Sequence, residues 1–189
     1  MQEFEKKVLL TQEEYRCLLR LADGNVEHFI QINYYYDSEQ LDMNRQGITC
    51  RIRKKNDNWE ATVKTHGSEN GCSTEETKEI LGPWDDGIFR DMKLALQGKL
   101  TTTRTVLYSG EGLEVVLDAN SYLGIRDYEL EIEHTCENEN HAEFVLRLLA
   151  ELLCAQQINQ GVKEFCTRTR FTQSKSARFF AHKRSLQEK

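Results

Sequence analysis

A chain of 189 residues, 39% hydrophobic and 30% charged, is long enough to bury a core as one domain and is somewhat richer in charge than a typical globular protein. Its net charge of −6 argues against general binding to nucleic acid or to an anionic membrane, since neither polyanion attracts it. No apolar run reaches bilayer length and no leader-like segment precedes the first charged strand, so a cytoplasmic protein is expected. Its six scattered cysteines, with no C-x-x-C pair, then read as ordinary thiols.

The chain opens on EFEKK, which begins an alternating strand over about residues 2–10. Thr11 and Glu14 form a capping-box signature, and Tyr15, Leu18, Leu19 and Ala22 keep helical spacing. The aromatic HFIQINYYYDS predicts a second strand, with Tyr34, Tyr35 and Tyr36 as packing residues. GITCRIRKK and NWEATVKTH predict a hairpin turning at Asn56–Asn58, and STEETKEI a further strand. WDDGIFRDMKLALQG is a helix candidate stopped by Gly98. LTTTRTVLYS, LEVVLDAN and DYELEIEH add three strands, and Asn140 with Glu143 is expected to cap the amphipathic helix HAEFVLRLLAELLCAQQI. Residues 1–171 read as a single domain; residues 172–189, with Lys175, Arg178, Lys183 and Arg184, read as a basic, solvated tail or a terminal helix. Roughly eight strands with helices at the crossovers predict an α+β fold built on a strongly curved antiparallel sheet or closed barrel.

Period two then sorts the side chains by face. Glu3, Glu5 and Lys7 oppose Phe4 and Val8; Arg51 and Arg53 oppose Cys50 and Ile52. Glu60, Thr62 and Lys64 oppose Trp59, Ala61 and Val63, and Glu75, Thr77 and Glu79 share a face on the next strand. Glu114 and Asp118 oppose Leu113, Val115 and Leu117; Glu129, Glu131 and Glu133 oppose Leu130 and Ile132. Any half-solvated sheet alternates in this way. The sorting by sign is more telling: acids dominate the first strand and the last two, whereas Arg51, Arg53, Lys64 and Arg104 supply bases between them. Clustered carboxylates suit a hard divalent cation, and clustered arginines and lysines suit phosphate oxygens. A metal–polyphosphate complex would use both.

The same residues resemble the CYTH superfamily, the triphosphate tunnel metalloenzymes. EFEKK matches its E-x-E-x-K opening; YYYDS, RIR, WEATVK, YELEIE and GVKEFCTR resemble its later motifs in order, over roughly residues 1–171. The resemblance implies a closed, antiparallel, eight-stranded β-barrel forming a charged tunnel, with helices packed outside. It implies Mg²⁺ or Mn²⁺ held by Glu3, Glu5, Glu129 and Glu131, with Asp118 or its neighbour Glu114 completing the set. Lys7, Arg51, Arg53, Lys64, Arg104 and Lys163 would hold the phosphate chain, with Glu79 added on the fifth strand; Glu133 continues the acidic row and is left out. Glu3, Glu5, Lys7, Arg51, Arg53, Lys64 and Arg104 would form the catalytic group.

The implied activity is metal-dependent hydrolysis of inorganic tripolyphosphate or of an organic or nucleoside triphosphate, a small-molecule partner. Two alternatives stand beside it. An adenylate cyclase would share the metal–triphosphate geometry but use a ribose hydroxyl in place of water. A non-catalytic polyphosphate binder would keep the bases and let the metal ligands drift, yet the matching glutamates are all present.

Overall fold

The computed structural model describes residues 3–21, 26–66, 73–82 and 87–188. The strands are β1 (Glu3–Leu10), β2 (His28–Asp37), β3 (Ile48–Lys55), β4 (Asn58–His66), β5 (Ser73–Ile80), β6 (Ala95–Gly110), β7 (Leu113–Tyr122) and β8 (Ile125–Thr135). The helices are α1 (Gln12–Leu21), α2 (Asp42–Arg45), α3 (Gly87–Asp91), α4 (Glu139–Ala155), α5 (Val162–Thr167) and α6 (Lys175–Gln187). All eight strands join one sheet in the order β1-β8-β7-β6-β2-β3-β4-β5. The β1/β8, β2/β3, β3/β4 and β4/β5 ladders are antiparallel. Among the described residues, no helix is long and apolar enough to cross a membrane.

The residues group into two compact units. The first comprises Met1–Phe29, Thr103–Asn120 and Arg126–Gln173. Here the apolar face of the strands does what period two requires: Val8, Leu117, Leu130 and Ile132 are completely buried against Leu18 of α1, Ala150 and Leu153 of α4 and Phe165 of α5. Each such side chain contributes about 1.5–3 kcal/mol of burial free energy. The capping box predicted for α1 forms in both directions: Thr11 N donates to Glu14 Oε2 (2.7 Å) and Glu14 N to Thr11 Oγ1 (3.2 Å). Glu14 also takes a forked hydrogen bond from Arg168, Nη2 at 2.7 Å and Nη1 at 3.2 Å, which fastens α1 to the turn following α5.

The second unit comprises Ile30–Thr102, Ser121–Ile125 and Ser174–Lys189. Strand β2 sends side chains into two apolar layers there. Tyr36, Cys50, Ile52 and Ala61 pack with Phe89 of α3 and Leu94 on one side. On the other, Tyr35, Leu41, Leu100 and Tyr122 pack with Phe179 and Phe180 of α6. The Tyr35 ring lies 4.7 Å from Phe179 and 5.5 Å from Phe180, centroid to centroid.

Two local expectations change, and a third, left between a solvated tail and a terminal helix, is decided. The helix candidate over 84–98 contracts to Gly87–Asp91 (84–86 lie outside the described residues), and β6 begins at Ala95. The cause is a Schellman stop: Leu94 N donates to Phe89 O, Lys93 N to Arg90 O, and Lys93 takes φ 58°. The long helix α4 starts one residue before the expected cap, Asn140. The residue ahead of it, Asn138, sends its amide to Glu111 O (2.7 Å) and Thr135 Oγ1 (3.1 Å), tying the helix start to the strands. The C-terminal segment is a docked helix: Ser174 Oγ accepts from Ala177 N at 3.2 Å, and Phe179 and Phe180 have no exposed surface. It therefore covers the Tyr35 face of the sheet, opposite α3.

Phe179→Ala should therefore destabilise the protein by about 3–5 kcal/mol in urea unfolding followed by circular dichroism. Phe171→Ala, at a 77% exposed position, should leave the midpoint nearly unchanged.

Candidate metal and phosphate site

In the first unit, antiparallel pairing sets Lys7 opposite Glu131 and Glu5 opposite Glu133, on the sheet face that Val8, Leu130 and Ile132 do not use. Lys7 Nζ lies 2.8 Å from Glu5 Oε1 and 3.0 Å from Glu131 Oε1. From β6, Arg104 grips Asp118 of β7 in a fork, Nε to Oδ1 at 2.9 Å and Nη2 to Oδ2 at 2.7 Å. Its Nη2 also donates to Glu131 Oε2, and its Nη1 to Glu133 Oε1 at 3.4 Å. Asp118 and Glu129 are fully buried and Glu131 almost so. Carboxylates this far from water survive only with counter-charge close by.

The carboxylate oxygens of Asp118, Glu129 and Glu131 can all lie within 4.8 Å of one another. A buried set of hard oxygen donors at that spacing fits Mg²⁺ or Mn²⁺ and does not suit a thiophilic metal. Asp118 rather than Glu114 joins it. The Glu3 side chain lies outside the described set.

Charges on this face perturb one another. Loss of hydration and then the Glu131 carboxylate push the Glu5 carboxyl up to about 7, while Lys7 pulls it down. Glu133 is likewise raised, first by burial; Glu131 and Glu114 add to the shift and Arg104 opposes it. Burial disfavours the Arg104 cation, but its hydrogen bond and charge contact with Asp118, then Glu131 and Glu133, outweigh that and hold it protonated.

In the second unit the bases line up by the same rule. Tyr35 pairs with Arg51 and Asn33 with Arg53, and Arg51 and Arg53 face Thr62 and Glu60 across the next ladder. Arg53 Nε donates to Asn33 Oδ1 at 2.9 Å, and its Nη1 lies 3.3 Å from Glu60 Oε1. Glu75 bridges two other bases, 3.0 Å from Arg51 Nη2 and 3.5 Å from Lys64 Nζ. Burial, then the neighbouring Arg51, lower Arg53 to about 10. The buried Tyr35 hydroxyl is raised by loss of hydration, against the charges of Arg51, Arg53, Lys175 and Arg178. The last two stand on α6, whose Ser176 lies 3.5 Å from Thr49, on the Arg51 face of β3.

Of the residues expected at the site, Glu5, Lys7, Arg104, Asp118, Glu129 and Glu131 stand together, and Arg51, Arg53 and Lys64 separately share a face. Glu79 sits exposed opposite Glu60, and Glu75 takes the basic contacts in its place. Lys163 is exposed on α5, whose Phe165 is sunk into the apolar core, so it lies on the helical side of the sheet. Missed were Glu133, a direct partner of Arg104, and the cations of α6. The adjacent Phe179 and Phe180 were the available sign that the tail docks.

The CYTH domain profile matches residues 1–157. The chain belongs to the CYTH domain family. Among relatives of this CYTH protein, putative triphosphatase YjbK of Bacillus subtilis (strain 168) is 26% identical, with 96% of each chain covered. A crystal structure of a putative adenylate cyclase from Bacillus halodurans is 27% identical at a TM-score of 0.61, covering 95% of this chain and all of that one. The same fold recurs at a TM-score of 0.67 and 21% identity in a Hippeastrum protein, a putative adenylyl cyclase with a dominant triphosphatase activity, with 96% of each chain covered.

The raised Glu5 carboxyl carries a sign. A group that binds its proton more tightly folded than unfolded stabilises below its unfolded value, and that stability is lost as pH rises through the folded one. Metal-free protein should therefore lose stability between about pH 4.5 and 7, and Glu5→Gln should flatten that slope in urea titrations run across the range.

Proposed function

We propose that this CYTH protein is a divalent-metal-dependent triphosphatase whose sheet closes into a charged tunnel. The observation that carries the reading is the buried triad Asp118, Glu129 and Glu131, with carboxylate oxygens within 4.8 Å of one another, in a chain that also gathers Arg51, Arg53 and Lys64 on one face. Glu5, Asp118, Glu129 and Glu131, with Glu3, would hold Mg²⁺ or Mn²⁺. When bound, the ion supplies charge neutralisation on phosphate oxygens and a lowered pKa for a coordinated water.

The remaining chemistry belongs to the chain. Phosphoryl transfer asks for alignment and charge stabilisation more than for covalent help. Arg51 and Arg53 present planar forks that suit phosphate oxygens, and Asn33 fixes the Arg53 fork from behind. Lys7 and Lys64 add point charges, and burial around Arg53 strengthens each contact it makes. Glu75 pairs with Arg51 and Lys64 and would yield them to the stronger polyanion. The substrate is a small molecule ending in a triphosphate. The name of the Bacillus halodurans relative favours a second reading, cyclisation of ATP, which differs only in the nucleophile.

Phosphate release should be measured with tripolyphosphate, ATP, thiamine triphosphate and pyrophosphate, each with Mg²⁺, with Mn²⁺ and with chelator. Turnover of at least one triphosphate is expected with metal and none with chelator. Glu131→Gln should lower kcat by about 10²-fold or more, and Arg53→Lys should lower kcat/KM by about tenfold because the fork is lost. Activity that survives both chelator and Glu131→Gln overturns the reading; cyclic AMP in place of orthophosphate selects the cyclase.

A further inference from the structure

We propose that Arg104 is the resident counter-ion of the acidic cluster, and that a divalent cation loads by exchanging with its guanidinium. The proposal rests on the reading of Asp118, Glu129 and Glu131 as the metal site and adds how that site is occupied and emptied.

The argument starts from which atoms Arg104 holds. Its Nη2 stands between Asp118 Oδ2, at 2.7 Å, and Glu131 Oε2, and its Nε takes the other Asp118 oxygen at 2.9 Å. Asp118 and Glu131 are two of the three acids whose oxygens come within 4.8 Å of one another. A Mg²⁺ ion takes each oxygen ligand at about 2.0–2.1 Å, so an ion held by Asp118 and Glu131 would compete with the guanidinium for the same two carboxylates. The competition is electrostatic as well, because a guanidinium and a divalent ion inside one poorly hydrated pocket repel strongly.

Charge balance explains why an arginine stands there. Lys7 serves Glu5 and Glu131 on the β1 side. Asp118, with no exposed surface, draws a forked pair of bonds from Arg104. Without a counter-charge the buried acids would have to take up protons or open the sheet to water. Arginine stays protonated where a lysine could lose its proton, and its fork holds both oxygens of one carboxylate. The Arg104 side chain is 12% exposed, so it borders solvent, and the exchange requires it to rotate clear of the acids. Once displaced, the guanidinium has lost its carboxylates and is available to phosphate oxygens. Metal entry would thereby create an anion-binding group, and loading of metal and of triphosphate would be positively coupled.

Two measurements on the 189-residue chain, prepared free of metal, test this. In wild-type protein labelled with ¹⁵N-arginine, the Arg104 Nε–Hε resonance, assigned by its loss in Arg104→Lys, should be protected in chelator and exchange at least about tenfold faster with saturating Mg²⁺ alone. Calorimetric titration with Mn²⁺ should show Asp118→Asn binding more weakly than wild type and Arg104→Gln binding tighter, each by about tenfold or more. If binding depends on Asp118 but Arg104→Gln binds no tighter, or if the Arg104 resonance is unmoved by bound Mg²⁺, the exchange is overturned and the metal site stands. If wild type and Asp118→Asn bind Mn²⁺ alike, or wild type binds none, the metal-site reading falls and takes the exchange with it. Should Arg104→Gln fail to fold, the wild-type resonance alone decides.

Discussion

The need to supply counter-charge to several buried carboxylates governs the rest of the first unit. Each buried acid must have a cation or strong donor within hydrogen-bond reach, because desolvation costs more than packing returns. Lys7 meets part of that demand by register, since antiparallel pairing puts it across from Glu131. Arg104 meets a further part from another strand, reaching Asp118, Glu131 and Glu133 together. The long β6, sixteen residues from Ala95 to Gly110, is what carries that arginine to the acids.

The alternation of each strand supplies the opposing half of the structure. Val8, Leu130 and Ile132 sit between the charged positions and anchor the strands to α1, α4 and α5. The hydrophobic layer holds the backbone firmly enough that the charged layer can be poorly balanced. A carboxyl pushed up to about 7 at Glu5 is a cost that an apolar core of this kind can carry. Polar fastenings such as the Thr11–Glu14 capping box and the Glu14–Arg168 fork strengthen the helical side without entering the charged face.

Much of this was legible in the letters. Strict period two in EFEKK, RIR, WEATVK and YELEIE assigned faces that the ladders reproduce. Thr11 and Glu14 named a helix start because that motif is local. What escaped depends on distant partners. Asn140 looked like a cap, but the helix start is placed by the Asn138 amide reaching Glu111 and Thr135. Lys163 belongs to a motif-like segment, yet Phe165 two positions later decides which side of the sheet that segment occupies. The C-terminal segment read as a solvated tail or a terminal helix because its charges outnumber its aromatics; the burial of Phe179 and Phe180 is what the letters left undecided. Arg104 lies in a threonine-rich run with weak alternation, so only coordinates give its direction.

Strand β2 carries one further implication. Its successive residues Tyr35 and Tyr36 serve different apolar layers, Tyr35 beneath α6 and Tyr36 beneath α3, while Asn33 two positions earlier steadies Arg53. Insertion or deletion of a single residue within His28–Asp37 would trade the two rings between layers and turn Asn33 away from its arginine. Length variation among natural relatives should accordingly be confined to connections, with β2 kept as a fixed ruler between two differently shaped seats.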